Sequence, residues 1–351
     1  MATPTTTFHG AGPSNVFVPS ENYNAGASEA FRVEFSRNPA SFGVNRIAQN
    51  VPVQKIAGLY VVMDADDAVN VVNAEDFVWP DGNDAPDKEN YRHLFRNFAC
   101  ERRAYPFPLG DLTVSQASWD IVAAHGRMAA TKCMTDRTLE VMTLLTTSGN
   151  WPASNTSADL DALGVTGGSW DASATTENFI MASFHLAVEK ILQSTGGVVQ
   201  PGDITLTINP HRAHAMRQTA ELNQYIVNNE SSVPAWMQSG VFAAYGLPPQ
   251  MFGVNINVDH SVRVSTRQGA STPTRAFILG DDVAVFTSRP GGLVGAEGPN
   301  FSTVVGFFQE DMTVENIDDR DNRRQKGRVV DNRVYRLTAP ISGYLIQDVT
   351  T

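Results

Sequence analysis

His211 and His214 stand three residues apart where a helix is predicted to begin, a spacing that could present two imidazoles to one metal ion. No cysteine lies near them, and neither a His-Glu-x-x-His nor a Glu-x-x-His pattern completes a ligand set. Solvated helix-end histidines are the simpler reading. Asp64, Asp66, Asn70 and Glu75 occupy places one, three, seven and twelve of a calcium-loop register, but Ala68 and Val69 stand where that loop needs a ligand and a glycine. Cys100 and Cys133 are isolated, the second inside a long helical stretch, and read as small buried packing residues rather than nucleophiles. Gly291, Gly292, Gly295 and Gly298 lack the lysine of a phosphate loop, and Pro299 blocks the helix such a loop would open. No Gly-x-Ser-x-Gly elbow occurs. The sequence therefore predicts no catalytic residue, no metal ligand and no cofactor, and the chain does not read as an enzyme.

What remains is charge. The 351 residues carry a formal charge of -11, which argues against a main surface that grips nucleic acid, because phosphate binding is driven by clustered lysine and arginine. Positions 64–89 hold nine Asp or Glu and one Lys, a local balance of -8, in a segment closed by the turn signal Trp79-Pro80-Asp81-Gly82. Positions 318–336 hold seven Arg or Lys against four Asp, a local +3, so the rest of the chain sums to -14. That basic run is either a solvated turn that neutralises itself or a docking surface for an acidic partner, another copy of the chain included. Two cysteines, no cationic leader and no run of about twenty apolar residues point to a reducing, soluble origin and away from secretion or membrane spanning.

Periodicity predicts the elements that carry these charges. The N-terminal stretch 1–55 is rich in Thr, Pro, Asn, Ser and Gly and reads as an extended arm, with one short strand where Phe31, Val33 and Phe35 alternate with Arg32 and Glu34. The apolar run 56–63 enters the acidic segment, which is predicted to project because it cannot bury itself cheaply. Residues 115–147 contain no proline and one glycine, with Ile121, Ala124, Met128, Leu139, Met142 and Leu145 near helical spacing. They predict the longest helix, a rod of about 45 Å, ended by Gly149-Asn150-Trp151-Pro152. A second helix is predicted at 176–193, a strand at 203–208, and a third helix from Pro210 behind an Asn209 N-cap. Strands are predicted at 254–258, 276–279, 283–286, 303–308, 329–337 and 344–349, giving a mixed α+β order without repeats.

This order resembles the major capsid proteins of tailed double-stranded DNA phages, the Hong Kong 97-like family. The likeness is carried by 56–63 running into the acidic loop, the 128–149 helix and its stop, the 205–214 strand ending in Asn-Pro, and the stretches 253–258, 276–286 and 329–341. The resemblance implies an α+β capsid fold with an N-terminal extended arm (1–55), an E-loop with flanking strands (56–110) and the spine helix of a peripheral domain (111–149). It further implies an axial domain (150–300), a peripheral-domain hairpin (301–339) and a C-terminal strand returning to the axial domain (340–351).

It also implies a head protein that self-assembles into hexamers and pentamers of an icosahedral shell around double-stranded DNA, found in the virion capsid and, during assembly, in host cytoplasm. Implied partners are other copies of itself, scaffolding, portal and decoration proteins, and weakly held DNA, with no membrane. Many members carry a charged helical scaffolding segment at the N-terminus; here that region is extended and weakly charged, which implies a separate scaffold. Some members join an E-loop lysine to a neighbour's asparagine, for which Lys88 with Asn316, Asn322 or Asn332 is the matching set. The alternative is the shell of an encapsulin-like nanocompartment holding cargo enzymes, against which the long acidic loop and the chain length weigh. In the resembled family the E-loop lies across the peripheral domain of an adjacent subunit. Charge complementarity then places Asp64, Asp66, Asp67, Glu75 and Asp76 against Arg320, Arg323, Arg324, Arg328 and Arg333 of a neighbour.

Overall fold

The computed structural model describes residues 42–63, 93–117, 120–171, 179–228, 245–266, 271–289, 302–319 and 323–350. The strand expected at 31–35 and the acidic segment 64–89 lie outside the described residues. A single helical turn, α1 (Val44–Ile47), precedes β1 (Gln49–Pro52), and β2 (Ala57–Met63) and β3 (His93–Ala99) pair as an antiparallel ribbon whose legs flank the acidic segment. β4 (Glu101–Gly110) and a short α2 (Asp111–Gln116) lead to the long helix α3 (Ile121–Thr146). Then come β5 (Thr156–Ser157), α4 (Leu160–Leu163), α5 (Ile180–Ser194), β6 (Ile204–Ile208), α6 (Pro210–Gln218), α7 (Ala220–Asn228), β7 (Gln250–Met251) and β8 (Val254–Val258). A small ribbon of β9 (Val262–Val264) and β10 (Arg275–Phe277), then β11 (Ala284–Ser288), the long pair β12 (Val304–Asp319) and β13 (Arg324–Leu337), and β14 (Tyr344–Ile346) complete the order.

Two sheets organise these elements. One has the order β5-β14-β11-β6-β8-β7, with β5 parallel to β14 and β6 parallel to β8. Its central strands β6 and β8 alternate Ile, Leu or Val with Thr or Asn, and α5 covers their apolar side with Ile180, Phe184, Ala187 and Ile191. The first two amides of α5 are orphan donors satisfied from another helix: the Glu221 carboxylate of α7 accepts Ile180 N–H at 2.7 Å and Met181 N–H at 2.8 Å. α6 begins as its sequence requires, with Asn209 Oδ1 accepting Arg212 N–H at 2.7 Å and Pro210 in the first turn.

The second sheet has the order β1-β12-β13-β4 and supports α3 across its face. β4 lies at its edge, where Pro106 and Pro108 can sit without breaking the ladder to β13. The 26 residues of α3 give a rod of about 39 Å. Asp120 caps its start by accepting Ala123 N–H at 2.8 Å. At its end, Asn150 Nδ2 and Trp151 Nε1 donate to the otherwise unpaired carbonyls of Leu144 and Leu145, so the predicted stop is a side-chain cap. The N-terminal half buries small residues, Ala124, Gly126, Ala129 and Cys133, and the C-terminal half buries Met134, Val141, Met142 and Leu145. Small residues let the helix approach β4 closely, so that Phe107 packs between Gly126 and Gly327.

Several elements differ from their predicted bounds. α3 begins at Ile121, not at 115, because Asp111–Gln116 forms its own turn of helix. β12 and β13 extend through charged residues to Asp319 and back from Arg324, far beyond the predicted 303–308 and 329–337, because cross-strand pairing carries a ladder through residues that break hydrophobic alternation. β14 ends at Ile346, and β10 at Phe277, where 344–349 and 276–279 were expected.

The Phe107 clamp yields a prediction. A Cβ on Gly327 would overlap the ring of the buried Phe107. Gly327→Ala should therefore destabilise the subunit by about 1–3 kcal/mol, read from the urea midpoint, and Phe107→Ala in the same chain should relieve the clash while opening a cavity. An unchanged midpoint for the single variant would refute the packing argument.

Candidate functional site

Beneath the long hairpin the sequence places ordinary surface residue types in the interior. Asp331 and Arg333 on β13 are buried, as is Arg137 on α3. Arg137 grips Asp331 through two parallel bonds, Nε to Oδ2 at 2.9 Å and Nη2 to Oδ1 at 2.8 Å, the fork geometry that makes arginine–carboxylate pairs directional. Arg333 Nη1 donates to the same Asp331 Oδ2, and its Nη2 reaches Asp136 at 2.9 Å and Glu140 at 3.5 Å on α3. Arg103 of β4 donates to Asp136 at 2.6 Å and lies 3.3 Å from Glu140. The Tyr105 hydroxyl also donates to Asp136, at 2.6 Å. Cys133 Sγ donates to Asp331 Oδ2 at 3.3 Å.

The strand opposite bends to join this network. Register shifts in β12 fall on both sides of Glu310 where β13 carries Asn332 and Arg333, and such bulges re-aim side chains. Asp311, in the second of them, accepts from Arg137 Nη2 at 2.6 Å. Arg137 also lies 4.7 Å from the centre of the Phe308 ring.

Burial works against the charges of Arg137 and Arg333, yet their carboxylate partners outweigh it and hold both as cations. Burial also opposes ionisation of Asp136, but hydrogen bonds from Tyr105 and Arg103 keep its carboxyl below its ordinary range. Glu140 goes the other way: burial raises it despite Arg333 and Arg103. Burial, with the Asp331 charge beside it, pushes the Cys133 thiol up to about 12, so it is held as a protonated donor and not as a nucleophile. Cys100 is likewise buried, its thiol raised by burial and directed at the Phe307 carbonyl at 3.6 Å.

The residues expected at a basic docking surface divide. Arg333 is a correction: it was expected to face a neighbour, and it lies inside its own subunit because α3 supplies the carboxylates it needs. Arg324 and Lys326 both pair with Asp319, at 3.0 and 2.5 Å, and Arg328 pairs with Glu315 at 2.5 Å. Much of the local +3 is thus answered by Glu315, Asp136 and Glu140, which lie outside the sequence window that defined it. Arg323 is exposed at the turn with φ 48°, its carbonyl accepting Asp111 N–H at 3.0 Å. Arg320 and the five acidic residues Asp64, Asp66, Asp67, Glu75 and Asp76 lie outside the described residues. His211 pairs with Asp281 at 3.5 Å and His214 meets Gln218, so the two imidazoles serve separate partners. Among the described residues no group of three His, Cys, Asp or Glu could hold a metal, and no helix is long and apolar enough to cross a membrane. The sequence reading missed Asp136, Arg137 and Glu140. Their signal was a Asp-Arg-x-x-Glu cluster set within the apolar stripe of a helix otherwise poor in charge.

The ribbon of β2 and β3 stands on the same sheet. Phe98 stacks on Phe307 with centroids 4.3 Å apart, and Tyr60 lies 5.5 Å from Phe307. The opposite face leaves Leu59 69% and Phe95 66% exposed.

No protein-family model and no curated sequence matches the chain. Solved structures do. The mature capsid of bacteriophage PhiM1 aligns over 99% of this chain and 98% of its own, with TM-score 0.58 and 14% identity. A phage-related protein from Bordetella bronchiseptica RB50 aligns over 93% and 96%, with TM-score 0.58 and 14% identity. The capsid of cyanophage P-SCSP1u aligns over 87% of each chain, with TM-score 0.55 and 10% identity. The α+β architecture is therefore that of the Hong Kong 97-like capsid fold.

The network makes two stability predictions. Removing the shared anion by Asp331→Leu leaves two buried guanidinium groups short of a partner and should cost about 3–5 kcal/mol. Adding Arg137→Met and Arg333→Met should recover most of that loss in the same denaturation assay. The second concerns pH. Asp136 is lowered in the fold, so its contribution is present above its ordinary value of 3.8 and is lost as pH falls through the folded value. Glu140 is raised, so stability declines as pH climbs from 4.5 through its folded value. At pH 7, Asp136→Asn should lose about 1.5–3 kcal/mol, whereas Glu140→Gln should be no less stable than wild type. Equal losses would overturn the assignment.

Proposed function

We propose that the chain is a major capsid protein that assembles as hexamers and pentamers into a closed icosahedral shell around double-stranded DNA. The observation that carries this reading is the end-to-end match to capsid subunits, 99% of this chain against 98% of the PhiM1 protein. Two physical features support it. The β2–β3 ribbon exposes Leu59 and Phe95 on the face turned away from its own sheet, surface that a neighbouring subunit would remove from water. The net charge of -11 suits a container from which DNA must slide, since a basic lining would hold the duplex through counterion release.

In this reading the acidic segment 64–89 lies against a neighbour. Within the long hairpin Arg323 at the turn and Arg336 on β13 are exposed, while Arg324 and Arg328 share their charge with carboxylates of their own subunit, and Arg320 lies outside the described residues. Scaffolding, portal and decoration proteins are further partners of such a shell, and host cytoplasm is where it would assemble.

Expression of the full chain with its neighbouring structural genes, followed by size-exclusion chromatography and electron microscopy, tests the proposal. Closed particles built from both capsomer types and holding DNA are expected. Particles filled with protein cargo instead would favour a nanocompartment, and a monodisperse monomer under every salt and scaffold condition would end the shell reading. Arg320→Glu with Arg323→Glu should lower particle yield, and Asp66→Arg with Asp67→Arg should restore part of it.

A further inference from the structure

Arg336 is the exception among the arginines of β13. Arg324, Arg328 and Arg333 each meet a carboxylate of their own subunit, whereas Arg336 is exposed and among the described residues has no such partner. Register sets where it points. Residues opposite one another in an antiparallel pair share a face, and faces alternate along each strand, so Arg336, paired with Val305, lies on the same side of the sheet as Phe307 and Val334. That is the side on which the β2–β3 ribbon stands, because Phe98 stacks on Phe307. In the ribbon Tyr60 pairs with Arg96 and Val62 with Leu94, so Tyr60, Leu94, Arg96 and Phe98 share the face turned to the sheet. Tyr60, Arg96 and Arg336 accordingly line one concavity of about 460 Å³. Burial raises the Tyr60 hydroxyl above its ordinary value while Arg96 and Arg336 both pull it the other way, so two cations act on one protonated donor. Arg96 is likewise exposed and has no carboxylate partner among the described residues. Two like charges brought to one point repel, and an anion between them removes that cost.

We propose that Tyr60, Arg96 and Arg336 form a carboxylate-binding site that takes a short acidic segment of a separate protein partner. All three side chains donate: two guanidinium forks, which match carboxylate oxygens, and one phenolic O–H. Charge stoichiometry limits the occupant. Two arginines answer one or two carboxylates, whereas the chain's own segment 64–89 brings a balance of -8 and would leave most of it unanswered beside them. A DNA duplex fits no better. Its affinity is built from many phosphate contacts, and two arginines supply about two of them, against roughly 6–10 for a protein that grips the duplex. Shape agrees, since a single side chain can enter a concavity whose rim is all that a rod-like duplex would meet. Leu94, 50% exposed and on the same face as Arg96, gives an apolar residue next to the carboxylate a place to pack. The three residues belong to one subunit, so occupancy of the site does not depend on the shell reading.

The test uses the unassembled full-length chain and a short fluorescent peptide with two glutamates between leucines, its binding followed by anisotropy. Wild type should bind this peptide and should bind the glutamine counterpart about tenfold more weakly. Arg96→Gln with Arg336→Gln should weaken binding about tenfold or more, and a rise in salt from about 0.05 to about 0.5 M should act in the same direction. Tyr60→Phe keeps the ring beside Phe307 and removes only the hydroxyl, so it should cost about threefold to tenfold with the melting temperature held. Arg96→Glu with Arg336→Glu should lose the glutamate peptide and gain one with lysines in its place, an exchange that a misfolded variant cannot make. No binding by wild type, equal binding of the glutamate and glutamine peptides, or indifference to all three residues overturns the proposal. So does a peptide spanning residues 64–92, or a short DNA duplex, that binds through these residues more tightly than the probe: the first would give the site to another copy and the second to nucleic acid. Particle formation is a separate readout. A chain that assembles but ignores the peptide keeps the shell reading and loses this site, and one that binds the peptide but never assembles does the reverse.

Discussion

The bidentate pair between Arg137 and Asp331 is the constraint around which this subunit is arranged. It joins a helix about 39 Å long to the central strand pair of a sheet at a position where neither partner reaches water. Buried ion pairs often add little net stability, because desolvation cancels much of the attraction. What they impose is geometry. A fork of two parallel bonds tolerates neither a slide of the helix along the sheet nor a rotation about its axis, whereas a seam of Ala, Val and Met would accept several registers. Arg333, Asp136, Glu140 and Arg103 extend the same restraint to β4, and the bulges in β12 bring Asp311 to it.

Around this fixed centre the polar side chains of α3 are turned inward on the helix itself. Thr131, Thr135, Thr138, Thr143, Thr146 and Thr147 each donate to the carbonyl four residues earlier. Such back-bonding is mildly unfavourable for an isolated helix and tends to bend it, so the straightness and position of α3 depend on the packing and ion pairs beneath. The restraint is strongest near the middle of the helix, and the caps from Asn150 and Trp151 hold its far end.

The periphery follows the opposite design. Both two-stranded ribbons leave apolar and charged side chains exposed, the β2–β3 pair on the face turned away from the four-stranded sheet and the β9–β10 pair on both faces. A fixed interior that sets the direction of such extensions is what the proposed shell would require, since a small angular error in one copy would be multiplied around a closed ring. The long hairpin belongs partly to each class. Its root holds Arg333 within the core, and its turn presents Arg323 outward.

Local signals in the sequence determined a good deal. The long helix and its stop, the Asn209-Pro210 start of α6, the strand cores and the two inert cysteines were legible because caps, periodicity and proline geometry act over a few residues. The order of those elements was enough to point to the fold although identity to the three solved structures named above is only 10–14%. Charge was read less well. A window over 318–336 counted Arg333 as surface and found an excess of +3, while the carboxylates that answer it come from Glu315 across the strand pair and from Asp136 and Glu140 far earlier in the chain. The exposed arginines of the β9–β10 ribbon, Arg263 and Arg275, escaped notice for the converse reason: they are sparse in sequence, and only the strand pairing brings them together. Burial and pairing of charge are properties of distance in space, which pairing of strands and docking of helices decide and which residue order along the chain does not encode locally.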